Sequence, residues 1–185
     1  GLKLACREQL VAIEPRDGGF LVRSSQHEYR TRTVLLTMGR RGTPRKLDVP
    51  GEELEKVVYR LVDPEQYQNQ HVLVVGGGDA ALEAAVSISE APGTTVTLSY
   101  RGNAFNRVKP KNRQLAEEAS DSGQLKIVLE STVAEILADT VVLDQNGAKL
   151  TIPNNAVIIC AGGILPTQLL EEIGVLVETR HGTGG

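Results

Sequence analysis

Gly76, Gly78 and Ala81 stand in the spacing Gly-x-Gly-x-x-Ala, directly after the apolar run Val72-Leu73-Val74-Val75. The chemistry this spacing suits needs only main-chain groups. Gly76 permits a tight turn, Gly78 lets a pyrophosphate approach the backbone, and Ala81 lets the following helix pack close to the strand. The helix N-terminus then offers unpaired N–H groups and a partial positive charge to the phosphates. Gly77, Asp79 and Ala80 share the turn, so the candidate cradle is Gly76, Gly77, Gly78, Asp79 and Ala80. Asp79 opens the helix and suits its N-cap. Glu83, one turn on, either touches the nucleotide or is an acid favoured there by the helix dipole.

An NAD-binding turn is usually followed, about twenty residues on, by an acid for the ribose 2′-hydroxyl. Ser99-Tyr100-Arg101 stands there instead. A guanidinium donates two parallel, charge-assisted hydrogen bonds to a phosphate, so Arg101 points to the 2′-phosphate of NADP(H). Arg107 can fold back from the same loop as a second ligand. Lys109, Lys111 and Arg113 follow, and a solvated basic loop is the other reading of such a run. Cys160 ends an apolar run with no base or second thiol near it in sequence, and reads as a small core residue. It and Cys6 fit no Cys-x-x-Cys or zinc spacing, and the three histidines are scattered, so no metal site is proposed.

These residues need a scaffold, and the chain is long enough to build one. Its 185 residues can bury roughly 70% of the surface the unfolded chain exposes. A net charge of −3 implies no general attraction to nucleic acid or anionic membrane. Two Phe, four Tyr and no Trp argue against a base-stacking module. Apolar runs fall far short of the ~20 residues that span a bilayer, and the chain opens on no signal-peptide pattern. A reducing, cytoplasmic setting is the expectation.

Around the turn, the strand at 72–75, an Ala-rich helix from Asp79 to about Glu90 and a strand from Thr95 to Tyr100 make a βαβ unit of a parallel sheet. A polar helix at 111–122 and a strand at 125–129 follow. Segments at 133–137, 141–143 and 149–151 form a meander, with Gln145-Asn146-Gly147 as its hairpin turn. An apolar strand runs from Ala156 to Cys160, and a short helix is expected at 169–173. Before the βαβ unit, 2–4, 9–13, 20–23, 27–31 and 34–37 read as antiparallel strands, with Asp17-Gly18-Gly19 as a turn. Met38 to Gly51 is a connector punctuated by Gly39, Gly42, Pro44 and Pro50, and Pro64 marks a second irregular stretch. The chain starts inside a strand pattern without Met, which suggests that its natural start lies upstream.

The linear order carries a further signal. A meander runs into Thr37-Met38-Gly39 and Pro44-x-x-x-x-Val49-Pro50-Gly51-Glu52. The glycine turn, the Arg-bearing strand end, a second meander and Ala161-Gly162-Gly163-Ile164-Leu165-Pro166-Thr167 come after it. This order resembles the thioredoxin-reductase-like branch of the pyridine nucleotide-disulfide oxidoreductases along nearly the whole chain. The resemblance implies an α/β, Rossmann-like FAD/NAD(P)-binding fold, a parallel sheet with a β-meander layer (three layers, ββα), flanked by partial FAD-domain strands. It implies an NADP(H)-binding domain at 48–161, with FAD-domain pieces at 1–47 and 162–185. It also implies Gly162 as a cofactor-binding residue on the return connector.

Three departures shape what is carried over. Where the family's thioredoxin reductases place Cys-x-x-Cys-Asp, this chain has Tyr59-Arg60-Leu61-Val62-Asp63, so dithiol exchange is not expected. The family's N-terminal FAD fingerprint and its C-terminal Gly-Asp segment are absent, so a purified chain is expected to be colourless. Where the family carries His-Arg-Arg and a later Arg, this chain has Tyr100-Arg101-Gly102 and Arg107, a phosphate site that Lys109 or Lys111 would complete. The implied activity is hydride transfer from NADPH to FAD in the parent enzyme, with ferredoxin, flavodoxin or a small disulfide as acceptor. The resemblance admits a homodimer. A nucleotide-binding module or redox sensor without turnover is the alternative.

Overall fold

Alternation along Val72-Leu73-Val74-Val75 decides the layering around the glycine turn. The structure is a computed structural model that describes residues 3–37, 43–164 and 167–176. The chain divides into two units, Pro44–Gly163 and the two flanking stretches, Gly1–Thr43 with Ile164–Gly185.

In the flanking unit, β1 (Leu10–Arg16), β2 (Gly19–Ser24) and β3 (Glu28–Thr31) form an antiparallel sheet in the order β1-β2-β3. Gly18 takes φ +79° in the turn between the first two, where a side chain would be strained. Residues 3–5 and 34–37 are irregular rather than strands. A strand needs a neighbour to accept its N–H groups. No described residue pairs with 34–37, and Leu35 is exposed. Leu2, Met38, Gly39 and Gly42, which entered the expected strands and connector, lie outside the described residues, as do Leu165 and Pro166. The chain passes between units at β4 (Thr43–Pro44).

The larger unit adds β5 (Val57–Val58), a 3-10 turn at Pro64–Tyr67, β6 (His71–Val75), α1 (Asp79–Ser89), β7 (Thr95–Tyr100), α2 (Pro110–Asp121) and β8 (Leu125–Leu129). β9 (Ser131–Ile136), β10 (Thr140–Gln145), β11 (Ala148–Pro153) and β12 (Ala156–Ile159) complete it. The short β13 (Gly163–Ile164) and α3 (Thr167–Glu172) follow. β5, β12, β6, β7 and β8 hydrogen-bond in that order as one parallel sheet.

Both faces of this sheet are covered, which is why residues of both alternations are buried and apolar along Val72–Val75 of β6 and along β12. Val72 and Val74 face the helix side with Val96, Leu98, Ala156 and Ile158, against Leu82, Ala85, Ile88 and Ala116. Leu73 and Val75 face the other way with Val157 and Ile159, against Val133, Ile136, Val141 and Leu143 of the antiparallel sheet β11-β10-β9. The layers are therefore meander, sheet and helices, as the resemblance implies. Asn146 at φ +52° and Gly147 at φ +86° make the two-residue turn that pairs Gln145 with Ala148 and matches the strands' twist. Within the irregular stretch Pro64–Tyr67 form one helical turn, capped by Asp63, which accepts the Glu65 N–H.

The segment expected to lack a dithiol serves the entry connector instead. Tyr59 donates its hydroxyl to Glu52 at 2.9 Å, and Glu52 also accepts the Leu47 and Asp48 N–H groups at 2.8 and 2.7 Å. Burial pushes the Glu52 carboxyl up, but the N–H of Leu47, the Tyr59 hydroxyl and the N–H of Asp48 together hold it below the usual carboxylate value.

Candidate functional site

β6 ends under the first glycine, and two neighbours leave no room for a side chain there. A Cβ on Gly76, at φ +150°, would lie 2.6 Å from the Cys160 carbonyl oxygen and 2.9 Å from the Ala81 Cβ. Ala81 is fully buried, so its small size is what brings α1 up to the strand end. Gly77 is crowded for another reason: a Cβ would fall 2.0 Å from the Tyr100 ring, which lies across this glycine. Gly78 differs from both, because a Cβ there would meet nothing within 4 Å. It is the exposed N-cap of α1, and no side chain caps that helix end. The first N–H groups of a helix have no partner within it. The turn therefore presents open space and free donors in one place, which fits a pyrophosphate.

Asp79 does not cap its own helix, contrary to the expectation. Gly78 holds the N-cap position, and the Asp79 carboxylate turns to α2, accepting the Lys109 N–H at 2.9 Å and the Asn112 amide at 2.8 Å. The Lys109 N–H, the Asn112 amide and the Lys109 charge hold this carboxyl below the usual aspartate value. The same Asn112 amide donates to Glu83 at 2.7 Å. Ala80 is exposed on the first turn beside Gly78.

Beyond β7 the chain forms the loop that carries the cations. Tyr100 stacks on Phe105 with ring centroids 5.4 Å apart, and Phe105 and Val108 are buried. Arg113 donates Nη2 to the Phe105 carbonyl at 2.7 Å, so it braces the loop from α2. Arg101 and Arg107 are both exposed, as are Lys109 and Lys111. Cys160 packs half-buried against the helix-side core, and its N–H donates to Val75. Gly162 is exposed at φ +85°, and its carbonyl accepts the Arg45 N–H at 3.1 Å.

The structure thus places Gly76, Gly77, Gly78, Asp79 and Ala80 in one turn, and Arg101 and Arg107 on the loop that leaves the neighbouring strand. Three roles were not read from the sequence: the Tyr100–Phe105 stack, the Arg113 brace and the Asn112 bridge. Arg113 had the look of one more cation in a run. Its place inside the polar helix, rather than on the loop before it, is the available sign of a different role.

A three-layer ββα unit with this turn defines a class, and comparison with known proteins agrees. The chain belongs to the pyridine nucleotide-disulphide oxidoreductase family, whose model matches residues 1–183. Among curated relatives, it is 30% identical to a bacilliredoxin reductase of Bacillus subtilis, over 88% of this chain and 51% of that protein. It is 28% identical to a ferredoxin–NADP reductase of Ignicoccus hospitalis, over 98% of this chain and 60% of that one. Among solved structures, a bacillithiol disulfide reductase of Staphylococcus aureus superposes with a TM-score of 0.84 at 25% identity, over 97% of this chain and 55% of that one. Thioredoxin reductase of Lactococcus lactis shares the fold at a TM-score of 0.75. The chain thus has a thioredoxin-reductase-like fold, and spans about half to three fifths of the length of these curated relatives.

Proposed function

We propose that the larger unit is the NADP(H)-binding domain of an FAD-dependent oxidoreductase. One observation carries the reading. The turn at 76–78 is closed to side chains at its first two glycines and open at the third, beside an uncapped helix end. Gly78, Asp79 and Ala80 would present backbone N–H groups to the pyrophosphate, and Arg101 with Arg107 would take the 2′-phosphate. Gly162 would lie along the return connector. When bound, the nicotinamide supplies a hydride, and FAD in the whole protein receives it. This chain's residues contribute orientation and charge, and none is assigned a catalytic role.

The boundaries 48–161 are proposed for this domain, with the stretches on either side belonging to the FAD domain. The onward acceptor is proposed from the relatives: a ferredoxin, as the Ignicoccus protein's name states, or a low-molecular-weight disulfide, as the Staphylococcus structure's name states. Flavodoxin is kept as a third. Tyr59 and Val62 stand where a dithiol would, so the flavin would deliver electrons without a protein disulfide. No helix among the described residues is long and apolar enough to cross a membrane. A cytoplasmic setting and a homodimer remain proposals.

The test is titration of the chain with NADPH and NADH, before and after Arg101→Ala. Loss of one charged hydrogen-bonding group costs about 1.5–3 kcal/mol, so NADPH should bind roughly ten- to a hundredfold more weakly. NADH affinity should hold. An equal loss for both dinucleotides would overturn the 2′-phosphate assignment.

A further inference from the structure

Two acids four residues apart on one helix repel each other, and in this molecule the pair Asp79 and Glu83 sits at the helix end proposed to receive phosphates. A single side chain answers both. Asn112 is buried at 9% exposure, and the two hydrogens of its amide go one to Asp79 and one to Glu83, at 2.8 and 2.7 Å. Asp79 also holds the Lys109 N–H at 2.9 Å, which fixes the residue where the cationic loop ends and α2 begins. The other end of that loop is fixed by Tyr100, whose ring lies across Gly77. Both ends are thereby set against the same glycine turn. Between them, Phe105 stacks on Tyr100 and its carbonyl accepts a hydrogen bond from Arg113.

We propose that Asn112 is a positioning residue for dinucleotide choice: its amide joins the carboxylates of Asp79 and Glu83 to the start of α2, and so sets the cationic loop at a fixed distance from the glycine turn. The proposal rests on the NADP(H) reading above. The Asn112 amide is committed to Asp79 and Glu83. Its effect passes through Asp79 and the Lys109 backbone. A gap held this way favours a ligand that bridges it, with its pyrophosphate on the turn and its 2′-phosphate on the loop. NADH lacks the second anchor, so its binding does not depend on where the loop stands.

The experiment is calorimetric titration of the full chain with NADPH, NADH and 2′,5′-ADP, for the wild type and Asn112→Ala, with a thermal melt to confirm that each is folded. Asn112→Ala should weaken NADPH and 2′,5′-ADP five- to twentyfold and NADH less than twofold. A helix-packing role alone would lower the melting temperature without changing the ratio of the two dinucleotides, and that result overturns the proposal. Where Asn112→Ala fails to fold, Asp79→Asn is the second variant. It keeps an acceptor for Lys109 but loses the charge, and should weaken NADPH two- to threefold more than NADH; an unchanged ratio again overturns the proposal. A wild-type chain that does not prefer NADPH to NADH sinks the NADP(H) reading and the proposal with it. A wild type that prefers NADPH, with a variant that keeps the preference, sinks the Asn112 proposal alone.

Discussion

The two halves of the candidate site are made of different material. The turn at 76–78 is backbone, held by the contacts its missing side chains permit: Cys160 and Ala81 press on Gly76, and the Tyr100 ring on Gly77. The loop after β7 presents side chains, with Arg101 and Arg107 exposed and Phe105 buried. At Gly76 and Gly77 the turn cannot gain a side chain without disturbing the fold around it. A side-chain site can lose a guanidinium while the strand and helices keep their packing. Affinity for any dinucleotide therefore belongs with the turn, and the choice between dinucleotides with the loop.

Gly76→Ala is the severest way to press on that difference. The new Cβ would need φ near +150° and would overlap a carbonyl oxygen and a buried methyl. Strain at such a backbone position and overpacking each cost about 1–3 kcal/mol. The fold should lose about 2–6 kcal/mol in a denaturant titration. A loss below about 1 kcal/mol would show that the turn is softer than its contacts imply. Arg101→Ala, by comparison, should leave the denaturant midpoint where it was.

Gly78→Ala separates folding from binding within the turn. Its φ of −107° suits alanine, and a Cβ there touches nothing. Alanine is a poor N-cap, so up to about 1 kcal/mol of stability goes. The methyl group enters the space proposed for the pyrophosphate. NADPH and NADH should therefore both bind about tenfold or more weakly, a change of at least ~1.4 kcal/mol. A variant that bound both as well as the wild type does would place the phosphates elsewhere.

How much of this was legible in the sequence follows the same division. The turn was readable because strand, glycines and helix are contiguous, and the alternation at 72–75 carries the layering with it. The loop was readable only as a set of charges. Asn112 acts on Asp79 from 33 residues away, through a contact that exists only once α1 and α2 are packed together. Asp79 was expected to cap α1 because acids favour that position locally. The stronger competitor was the Lys109 N–H, which no local rule reveals. In the flanking unit, Val34-Leu35-Leu36-Thr37 has strand composition and yet forms no strand, because composition cannot supply the neighbour that a strand must pair with.

The smallest expected effect concerns that Asp79 contact and its response to pH. The Lys109 N–H, the Asn112 amide and the Lys109 charge favour the ionised carboxylate, so the folded value lies below the ordinary 3.8. A carboxyl lowered on folding stabilises the protein above its unfolded value, and that contribution disappears as pH falls through the folded value. Wild type and Asp79→Asn should therefore differ in melting temperature by a constant amount between about pH 5 and 8. The two curves should converge only in acid below 3.8. A difference that already narrowed near neutral pH would mean that the carboxylate is not what ties α1 to the cationic loop. The loop would then depend on the Phe105 stack and the Arg113 brace, and would be a looser structure than the turn beside it.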